Sequence, residues 1–462
     1  MKPVHSLARN LLLAVGLLLV PAWVSGVSAQ AAPHFTADES FGSQGLVTGD
    51  IGQIQSSATL SPRILARDPQ GRILVGAANG SEWEIWRILP DGGPDPTFGD
   101  TGRVVITSWA GYGGPTASVN LASAAVRPDG RILLAGYEGS YVVGNNVRKG
   151  QSSMILKQLL PDGSPDLSFG HTDGGNWLSG GKGAVKVALQ RDGGFLVGGF
   201  NQIQTTGRTD DGALFRFTSG GKIDKDFGPG KDLTAVSVLG APGKASDVFD
   251  VDLLANGQIL LSGVSKNRLW VMKLRANGLR DNSFGSGGQV FALPGGKKRT
   301  LWAAARDLEV DSHGRILIAG YATPKSTKTH AGYGVVMRLT RSGHRDKRFG
   351  SKGLVRVLAT HQAGDRSTRL YDIQTDSHGG IWVTGSAGRS PRNSRHAITV
   401  RYFPNGKKDR RFFQNGVMKL HLGDGSMGTS LSRTGHQIYL AGRYDHGNEE
   451  SFFLERLSSR LP

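Results

Sequence analysis

The sequence predicts an all-β protein, a β-propeller of seven four-stranded antiparallel blades. Three observations predict it. An Asp-x-x-Phe phrase recurs seven times, a short apolar run recurs seven times between those phrases, and the 68 glycines fall mostly in Asp-Gly, Asn-Gly, Gly-Gly and Ser-Gly pairs. Such pairs mark tight turns, and many turns between short apolar runs are typical of antiparallel sheets. No Gly-X-Y period is present, so the glycine content does not indicate a collagen-like chain.

The recurring phrase is clearest at residues 95–102, which read Asp-Pro-Thr-Phe-Gly-Asp-Thr-Gly and follow the turn Pro90-Asp91-Gly92. Gly follows the Phe directly in six copies, and the last copy has Phe413 there. The Asp and Phe anchors of the seven copies are Asp38 and Phe41, Asp95 and Phe98, Asp166 and Phe169, Asp224 and Phe227, Asp281 and Phe284, Asp346 and Phe349, and Asp409 and Phe412. Recurrence in every copy indicates a structural role, and we interpret the phrase as the hinge between blades.

The apolar runs occupy residues 73–75, 132–134, 195–197, 259–261, 316–318, 381–383 and 438–440. Each repeat therefore reads as four strands. One follows the Phe-Gly turn, the second leads into an Asp-Gly type of turn, the third is the apolar run, and the fourth alternates before the next anchor. We expect the four strands of one repeat to form a meander. A β-helix or an array of small sandwiches is the alternative, but units of this length favour propeller blades.

The combination Pro-Asp-Gly-x-x-Asp-x-x-Phe-Gly-x-x-Gly, preceded by an Arg-bearing strand and by Asp-Gly-Arg-Ile-Leu-x-x-Gly, resembles the delta-60 repeat family of exported bacterial proteins. The resemblance extends over essentially all of the chain after the N-terminal leader. It implies a propeller-like all-β fold and an envelope or extracellular setting. It brings no catalytic residues and no substrate with it. No cofactor is expected.

The N-terminus reads as a secretory signal peptide over residues 1–31. Lys2, His5 and Arg9 precede an apolar run at 11–20, and small-x-small sites predict cleavage after Ala29 or Ala31. We expect a secreted or periplasmic protein whose residues 32–462 form a single propeller domain. No later stretch is long and apolar enough to predict a membrane span. The chain has no cysteine, so packing rather than disulfides must hold it together.

The anchor residues are interpreted through turn chemistry and packing. The anchor Asp either caps the next turn or pairs with a cation, and the anchor Phe packs between blades. A cation recurs on the fourth strand, at Arg87, Arg216, Lys273, Arg338, Arg401 and Arg456, with Gln158 in the second repeat. We interpret it as the ion-pair partner of the anchor Asp. A ring of bases around a channel is the alternative for the cations, and a calcium site is the alternative for the Asp, although calcium loops carry more oxygen ligands.

Antiparallel connectivity places the loops of each blade alternately on two faces. The repeated turns share one face, here called the turn face. The variable loops, such as residues 108–120, 137–153, 322–332 and 386–396, share the opposite, variable face. Variable loops on a rigid frame usually carry binding, so function is predicted there. We also expect the strand near residues 46–47 to pair with the C-terminal strands and close the ring, because closure removes two exposed sheet edges.

Positive charge concentrates in one sector of the chain. The net charge is +18, and residues 290–412 hold 24 Lys and Arg against 8 Asp and Glu. Some of this excess falls on the turn face, at residues 345–348 and 407–411. The predicted binding residues lie on the variable face: Lys297, Lys298, Arg299, Lys325, Lys328, Arg389, Arg392 and Arg395. Such a field attracts polyanions, whereas the alternative is a merely basic, solvated surface.

Few sequence motifs indicate catalysis or metal binding. No zincin spacing, Gly-x-Ser-x-Gly elbow or P-loop occurs, and no metal ligand set or catalytic residue is assigned. We expect a monomer that binds without catalysis, with an acidic glycan, lipopolysaccharide or another protein as the partner. The alternative is a propeller enzyme acting on polysaccharide, as a glycoside hydrolase or a polysaccharide lyase. Carboxylates or histidines that converge at the channel mouth would favour the enzyme.

Overall fold

Seven antiparallel sheets account for every strand of the structure, a computed structural model. It describes residues 35–53, 63–79, 82–107, 118–139, 152–170, 176–180, 182–202, 210–229, 236–237, 246–296, 300–325, 332–359, 367–388, 395–447 and 449–459. The predicted signal peptide lies outside these residues. In the part of the chain that the structure describes, no helix is long and apolar enough to cross a membrane.

The first four blades contain β3 to β18, four consecutive strands in each. Their bounds are β3 Arg63–Arg67, β4 Ile73–Asn79, β5 Glu82–Ile88, β6 Arg103–Ile106, β7 Ser118–Val126, β8 Ile132–Gly139, β9 Ser152–Leu159, β10 Asn176–Gly180, β11 Lys182–Leu189, β12 Phe195–Gln202, β13 Asp210–Phe217, β14 Val236–Ser237, β15 Ser246–Leu253, β16 Ile259–Ser265, β17 Arg268–Leu274 and β18 Gln289–Ala292. Each blade is a meander in sequence order.

Blades 5 and 6 repeat the pattern, and blade 7 joins the two ends of the chain. Blade 5 contains β19 Thr300–Val310, β20 Ile316–Pro324, β21 Tyr333–Leu339 and β22 Leu354–Val357, and blade 6 contains β23 Ser367–Thr375, β24 Ile381–Gly388, β25 Arg395–Tyr402 and β26 Val417–Leu420. Blade 7 contains β27 Gly425–Thr434, β28 Gln437–His446, β29 Glu449–Ser459 and the N-terminal strands β1 Phe35–Ala37 and β2 Leu46–Gln53.

The sheets are arranged around a central axis. The first strands of the blades contact one another in a closed cycle, β3 to β7, β11, β15, β19, β23, β27 and back to β3, so they are innermost. Apolar side chains pack between neighbouring blades; one core cluster, for example, joins residues of blades 4 and 5. The predicted seven-bladed propeller is therefore confirmed.

Ring closure through the chain ends is also confirmed. β29 pairs antiparallel with β28 on one side and with β1 and β2 on the other. Phe35 to Ala37 lie opposite Ser459 to Leu457, and Leu46 lies opposite Glu455. The N-terminal strands thus provide the outermost position of a sheet whose other three strands are C-terminal.

The blades differ from the sequence repeats in one respect. The strand after each Phe-Gly turn pairs with the strand before it, as β6 pairs with β5. A blade therefore combines strands two to four of one repeat with strand one of the next, rather than all four strands of a single repeat. The anchor consequently lies within a blade, between its third and outermost strands, so its interpretation as the hinge between blades was wrong. A tight turn favours pairing of the two strands that it joins, and the anchor is such a turn.

The interpretation of the anchors as turn and ion-pair residues agrees with the structure. Asp95 accepts hydrogen bonds from Thr97 N at 2.9 Å and from Arg87 Nε at 2.7 Å, and the Arg87 guanidinium lies 4.4 Å from the Phe98 ring centroid. The other pairs are Arg216 with Asp224, Lys273 with Asp281, Arg338 with Asp346, Arg401 with Asp409, Arg456 with Asp38, and Gln158 with Asp166. The anchor Phe residues are at most 3 % exposed, and Phe98 belongs to a core cluster that joins blades 1 and 2, so the ring packs between blades as predicted.

Each anchor also contacts the next blade. Gly99 N donates to Asp162 O at 2.7 Å, and Arg87 donates to Pro161 O. Gly163 has a φ of 91°, and a Cβ there would lie 2.9 Å from the Phe98 ring. The Pro-Asp-Gly turn therefore requires glycine both for its backbone conformation and for the approach of the preceding blade's Phe.

Candidate functional site at the axis

The predicted basic site falls mostly outside the described residues. Lys297, Lys298, Arg299, Lys328, Arg389 and Arg392 all lie there. Lys325 is exposed directly after β20, and Arg395 is half-buried at the start of β25. The site itself stays a prediction. The strands that flank its loops carry a second group of residues, which faces the axis.

Aromatic and guanidinium groups cluster at the variable-face end of the innermost strands of blades 4 to 6. The Trp302 and Tyr321 ring centroids are 5.1 Å apart, and the Tyr321 and Tyr371 centroids are 6.4 Å apart. Trp302 is the third residue of β19, and Tyr321 lies opposite Ala304 in the neighbouring strand. Trp302, Tyr321 and Tyr371 are all half-buried rather than core residues.

Two arginines stack on these rings. Arg369 Cζ lies 5.1 Å from the Tyr321 centroid, and Arg306 Cζ lies 4.1 Å from the Phe249 centroid and 5.9 Å from the Tyr371 centroid. Among the described residues, no carboxylate pairs with either guanidinium within 4.0 Å. Each guanidinium packs against an aromatic ring through its face, so the N–H groups at its edge can still donate hydrogen bonds. We call Phe249, Trp302, Arg306, Tyr321, Arg369 and Tyr371 the channel-mouth cluster.

Below this cluster, polar side chains occupy one recurrent position on the innermost strands. Each stands directly after a β-bulge, the irregularity that inserts one extra residue into the strand. In blades 4 to 6 the residues are Asp250, Asp307 and Asp372, and in blades 2, 3 and 7 they are Ser123, Lys186 and Ser430. The bulge residues themselves include Phe249, Arg306 and Tyr371, so the same irregularity presents both layers.

The three Asp side chains at this position accept hydrogen bonds from the backbone of the next blade. Asp250 accepts from Leu308 N at 3.1 Å, Asp307 from Ile373 N at 2.9 Å, and Asp372 from Leu431 N at 3.1 Å. The carboxylates therefore satisfy backbone donors on the innermost strand of the next blade, and they bridge neighbouring blades around the axis.

Lys186 is the cation of this layer. Its Nζ lies 2.7 Å from Asp250 Oδ1 and 3.9 Å from Asp307 Oδ1, reaching past one blade to the next. Burial by itself disfavours the ammonium, but Asp250, Asp307 and Asp372 outweigh burial and raise the pKa of Lys186. We call Lys186, Asp250, Asp307 and Asp372 the axial ion cluster. Because it has three carboxylates and one ammonium, its acidic members are only partly neutralised.

Two carboxylates of the cluster, Asp307 and Asp372, have raised pKa values. Burial, reinforced by Asp250 and Asp372, raises the pKa of Asp307 well above its ordinary value. Burial raises the pKa of Asp372 to about 6, although Leu431 N and Lys186 oppose this. Two further carboxylates lie two residues along the strands. Burial and the nearby Asp250 raise the pKa of Asp252 to about 6. Burial raises that of Glu309 to about 7, even though Thr375 donates a 2.9 Å hydrogen bond to Glu309.

The sequence offered one signal for the axial carboxylates. Asp250, Asp307 and Asp372 each stand seven residues before the glycine of the following turn, at Gly257, Gly314 and Gly379. An alignment of the repeats on those glycines would have found them. Nothing in the strand pattern separates Trp302 and Tyr371, at the axis, from Trp382, which is fully buried. That distinction depends on bulges.

Comparisons with known proteins point to the same fold. A family model described as a domain of unknown function (DUF5122), beta-propeller, matches residues 127–169. This segment contains one apolar run and the anchor Asp166 and Phe169, so the family model coincides with the internal repeat. No curated protein matches the sequence.

Solved structures give similar chains at low sequence identity. A polysaccharide lyase of family PL25, an ulvan lyase bound to a glucuronate–sulfated rhamnose unit, has a TM-score of 0.48 at 11% identity, covering 84% of this chain and 91% of its own. Drosophila Plexin A in complex with Semaphorin 1b has a TM-score of 0.41 at 11% identity, covering 88% and 87%. Prolyl oligopeptidase B from Galerina marginata has a TM-score of 0.42 at 12% identity, covering 88% of this chain and 49% of its own.

Proposed function

We propose that the protein binds an anionic saccharide at the variable-face end of its axis. The observation that carries the proposal is the channel-mouth cluster, in which Arg306 and Arg369 are held by stacking on aromatic rings rather than by carboxylates. A guanidinium positioned in this way donates paired N–H groups to a carboxylate or sulfate. Half-buried aromatic faces meanwhile pack against the C–H face of a sugar ring. Few polar groups on an aromatic surface are typical of a ligand site.

The surrounding charge supports an anionic ligand rather than a neutral one. The predicted basic loops adjoin β19, β20, β24 and β25 in sequence. Of these strands, β19 and β20 carry residues of the channel-mouth cluster. A basic rim raises the local concentration of a polyanion before the stacked arginines bind it. The axial carboxylates below the cluster oppose deeper entry of the same anion. We therefore expect the ligand to lie across the mouth rather than to thread the axis.

Export and membership of the delta-60 repeat family are part of this proposal. Residues 1–31 support a cleaved leader, and the sevenfold repeat supports the family. An exported chain would meet acidic polysaccharides of the envelope or the surroundings. The first residue of the purified mature protein, determined by mass spectrometry, tests cleavage after Ala29 or Ala31.

Binding is tested by titrating the full protein with polygalacturonate and with dextran, as acidic and neutral polymers. We expect polygalacturonate alone to bind. Arg306→Gln and Arg369→Gln should each weaken that binding about tenfold, because a charged hydrogen-bond pair contributes about 1.5–3 kcal/mol. Arg433→Gln, at a half-buried arginine near the end of β27, is the matched control. Equal affinity for both polymers, or unchanged affinity in both cluster variants, would refute the proposal.

A further inference from the structure

The turn face carries a second concentration of positive charge, at the far end of the propeller from the channel mouth. It lies on the anchor turns of blades 5 and 6, the turns between the third and outermost strands. Blade 5 contributes Arg345, Lys347 and Arg348, and blade 6 contributes Lys407, Lys408 and Arg410. All of them are exposed or half-buried. The proposed saccharide site uses none of these residues.

The repeat itself shows that the fold does not need these cations. The equivalents of Lys408 are Pro94, Pro165 and Ile223 in blades 1 to 3, and the equivalents of Arg410 are Pro96, Leu167 and Lys225. Those turns have the same anchor hydrogen bonds, for example Phe98 N to Asp95 O at 3.1 Å and Phe412 N to Asp409 O at 3.1 Å. Proline and leucine serve the turn equally well, so the basic residues have another role.

The acidic residues of these turns are already paired. Asp346 accepts from Arg338 Nε at 2.9 Å, and Asp409 pairs with Arg401 and with Arg411 Nε at 3.0 Å. In the described ranges, no carboxylate lies within 4.0 Å of the cationic groups of Lys407, Lys408 or Arg410. Their mutual repulsion is left uncompensated within the chain. A mobile anion from solution would relieve it.

A cavity lies among these cations. Lys407, Lys408, Arg410 and Asn415 line a space of about 420 Å³ on the turn of blade 6. Burial, together with the neighbouring Arg410, lowers the pKa of Lys408, which is the direction expected where like charges converge. One blade earlier, a cavity of about 590 Å³ is lined by Arg345, Ser351, Lys352, Leu354 and Arg356 of blade 5 and by Leu293, Gly295 and Gly296, which follow β18. The cation directly before the anchor Asp, Lys408 or Arg345, therefore lines a cavity on each of two adjacent blades.

We propose that these two cavities form a binding site for successive phosphate groups of an anionic polymer. A phosphate offers several acceptor oxygens to lysine ammonium, guanidinium and amide donors at once, and Lys407, Lys408, Arg410 and Asn415 supply all three kinds. Two hollows on neighbouring blades suit a polymer that repeats its charge rather than a single small anion. The site would fix the turn face to a phosphorylated polymer while the variable face stays free.

The experiment is a calorimetric titration of the full protein with polyphosphate of defined chain length, at two salt concentrations. We expect binding that weakens steeply with salt, because exposed charges are screened beyond about 8–10 Å near physiological ionic strength. The combined variant Lys407→Gln, Lys408→Gln and Arg410→Gln should bind at least about tenfold more weakly, a loss of about 1.4 kcal/mol.

Blade 3 supplies the matched control. Lys222 and Lys225 are exposed at the positions equivalent to Lys407 and Arg410, but Asp226 adjoins them. Lys222→Gln with Lys225→Gln should leave polyphosphate binding unchanged. An equal loss in this control, or none in the blade 6 variant, would show a diffuse charge effect and overturn the site. So would tighter binding to vesicles of phosphatidylglycerol than to polyphosphate, which would indicate a membrane surface.

This outcome is separable from the saccharide proposal. Arg306→Gln and Arg369→Gln should leave polyphosphate binding intact, and the blade 6 variant should leave polygalacturonate binding at the channel mouth intact. Thermal unfolding of every variant confirms that the propeller is folded. If the blade 6 variant alters both ligands equally, the two sites are not distinct and the turn-face site is rejected.

Discussion

Lys186→Met is expected to lower the free energy of unfolding by about 2–4 kcal/mol at pH 8. Removing one partner of a buried ion pair leaves the other charge uncompensated, which typically costs about 3–5 kcal/mol. The expected loss is smaller because 39% of the Lys186 side chain remains exposed, where water screens the pair. Asp250 and Asp307 would then face one another without the ammonium. Denaturant unfolding measures the change, and Lys222→Met, at an exposed position, is the control.

The loss should depend on pH in a defined direction. Carboxyls with raised folded-state pKa values, such as Asp307 and Asp372, favour the folded state most below their unfolded pKa and lose that contribution as pH rises. Without Lys186, their ionisation in the folded state becomes still less favourable. The deficit of Lys186→Met should therefore grow from pH 5 to pH 8. A deficit that is constant over this range would show that Lys186 acts by packing rather than by charge.

The architecture was predictable because its determinants are repeated along the chain. Asp95 and Arg87 are eight residues apart, Phe98 meets the corresponding turn of the next repeat, and the anchor Asp and Phe recur in all seven copies. Each is the kind of interaction that residue type alone suggests: a carboxylate, a guanidinium and an aromatic ring. Closure followed from the same logic, because a ring that begins with an anchor has to be completed by its last strands. Only the grouping of strands into blades differed, since a cyclic repeat has no intrinsic starting point.

The axial residues were not predictable for a physical reason. Whether Trp302 lies at the axis and Trp382 in the core depends on the strand that carries each residue and on its register. One extra residue at a bulge moves side chains from one face to the other. Arg306 and Tyr371 are bulge residues, and bulges leave no mark in an alternating pattern. Charge counting instead pointed to the loops, which adjoin the axial cluster in sequence but do not contain it.

The two faces of the propeller imply different uses for one positive field. At the channel mouth, Arg306 and Arg369 are fixed by aromatic faces, so their geometry selects a shape as well as a charge. On the turn face, Lys407 and Lys408 are point charges around an open cavity, which suits repeated charge rather than a particular shape. The axial carboxylates oppose entry of an anion from the channel mouth, and the turn-face site lies away from the axis. The two proposed ligands therefore need not compete.

Arg456→Ala should be among the most destabilising single substitutions, with an expected loss of about 3–5 kcal/mol in the free energy of unfolding. Its guanidinium is 6% exposed and joins three parts of the chain. It pairs with Asp38 at 2.9 Å, donates to Ser40 Oγ at 2.7 Å and to Pro90 O, and lies 4.7 Å from the Phe41 ring centroid. Substitution therefore removes the contact between the closing N-terminal segment, blade 7 and blade 1.

The equivalent Arg216 in blade 3 isolates the contribution of closure. It makes the same type of pair, with Asp224, but its side chain is 24% exposed and both of its flanking blades are continuous in sequence. We expect Arg216→Ala to lose only about 1–2 kcal/mol, because a more solvated pair is weaker. Limited proteolysis should release residues 35–53 from the Arg456 variant alone, since only non-covalent contacts hold β1 and β2 in blade 7. Equal losses in the two variants, with the N-terminal strands protected in both, would mean that strand pairing with β29 closes the ring without help from Arg456.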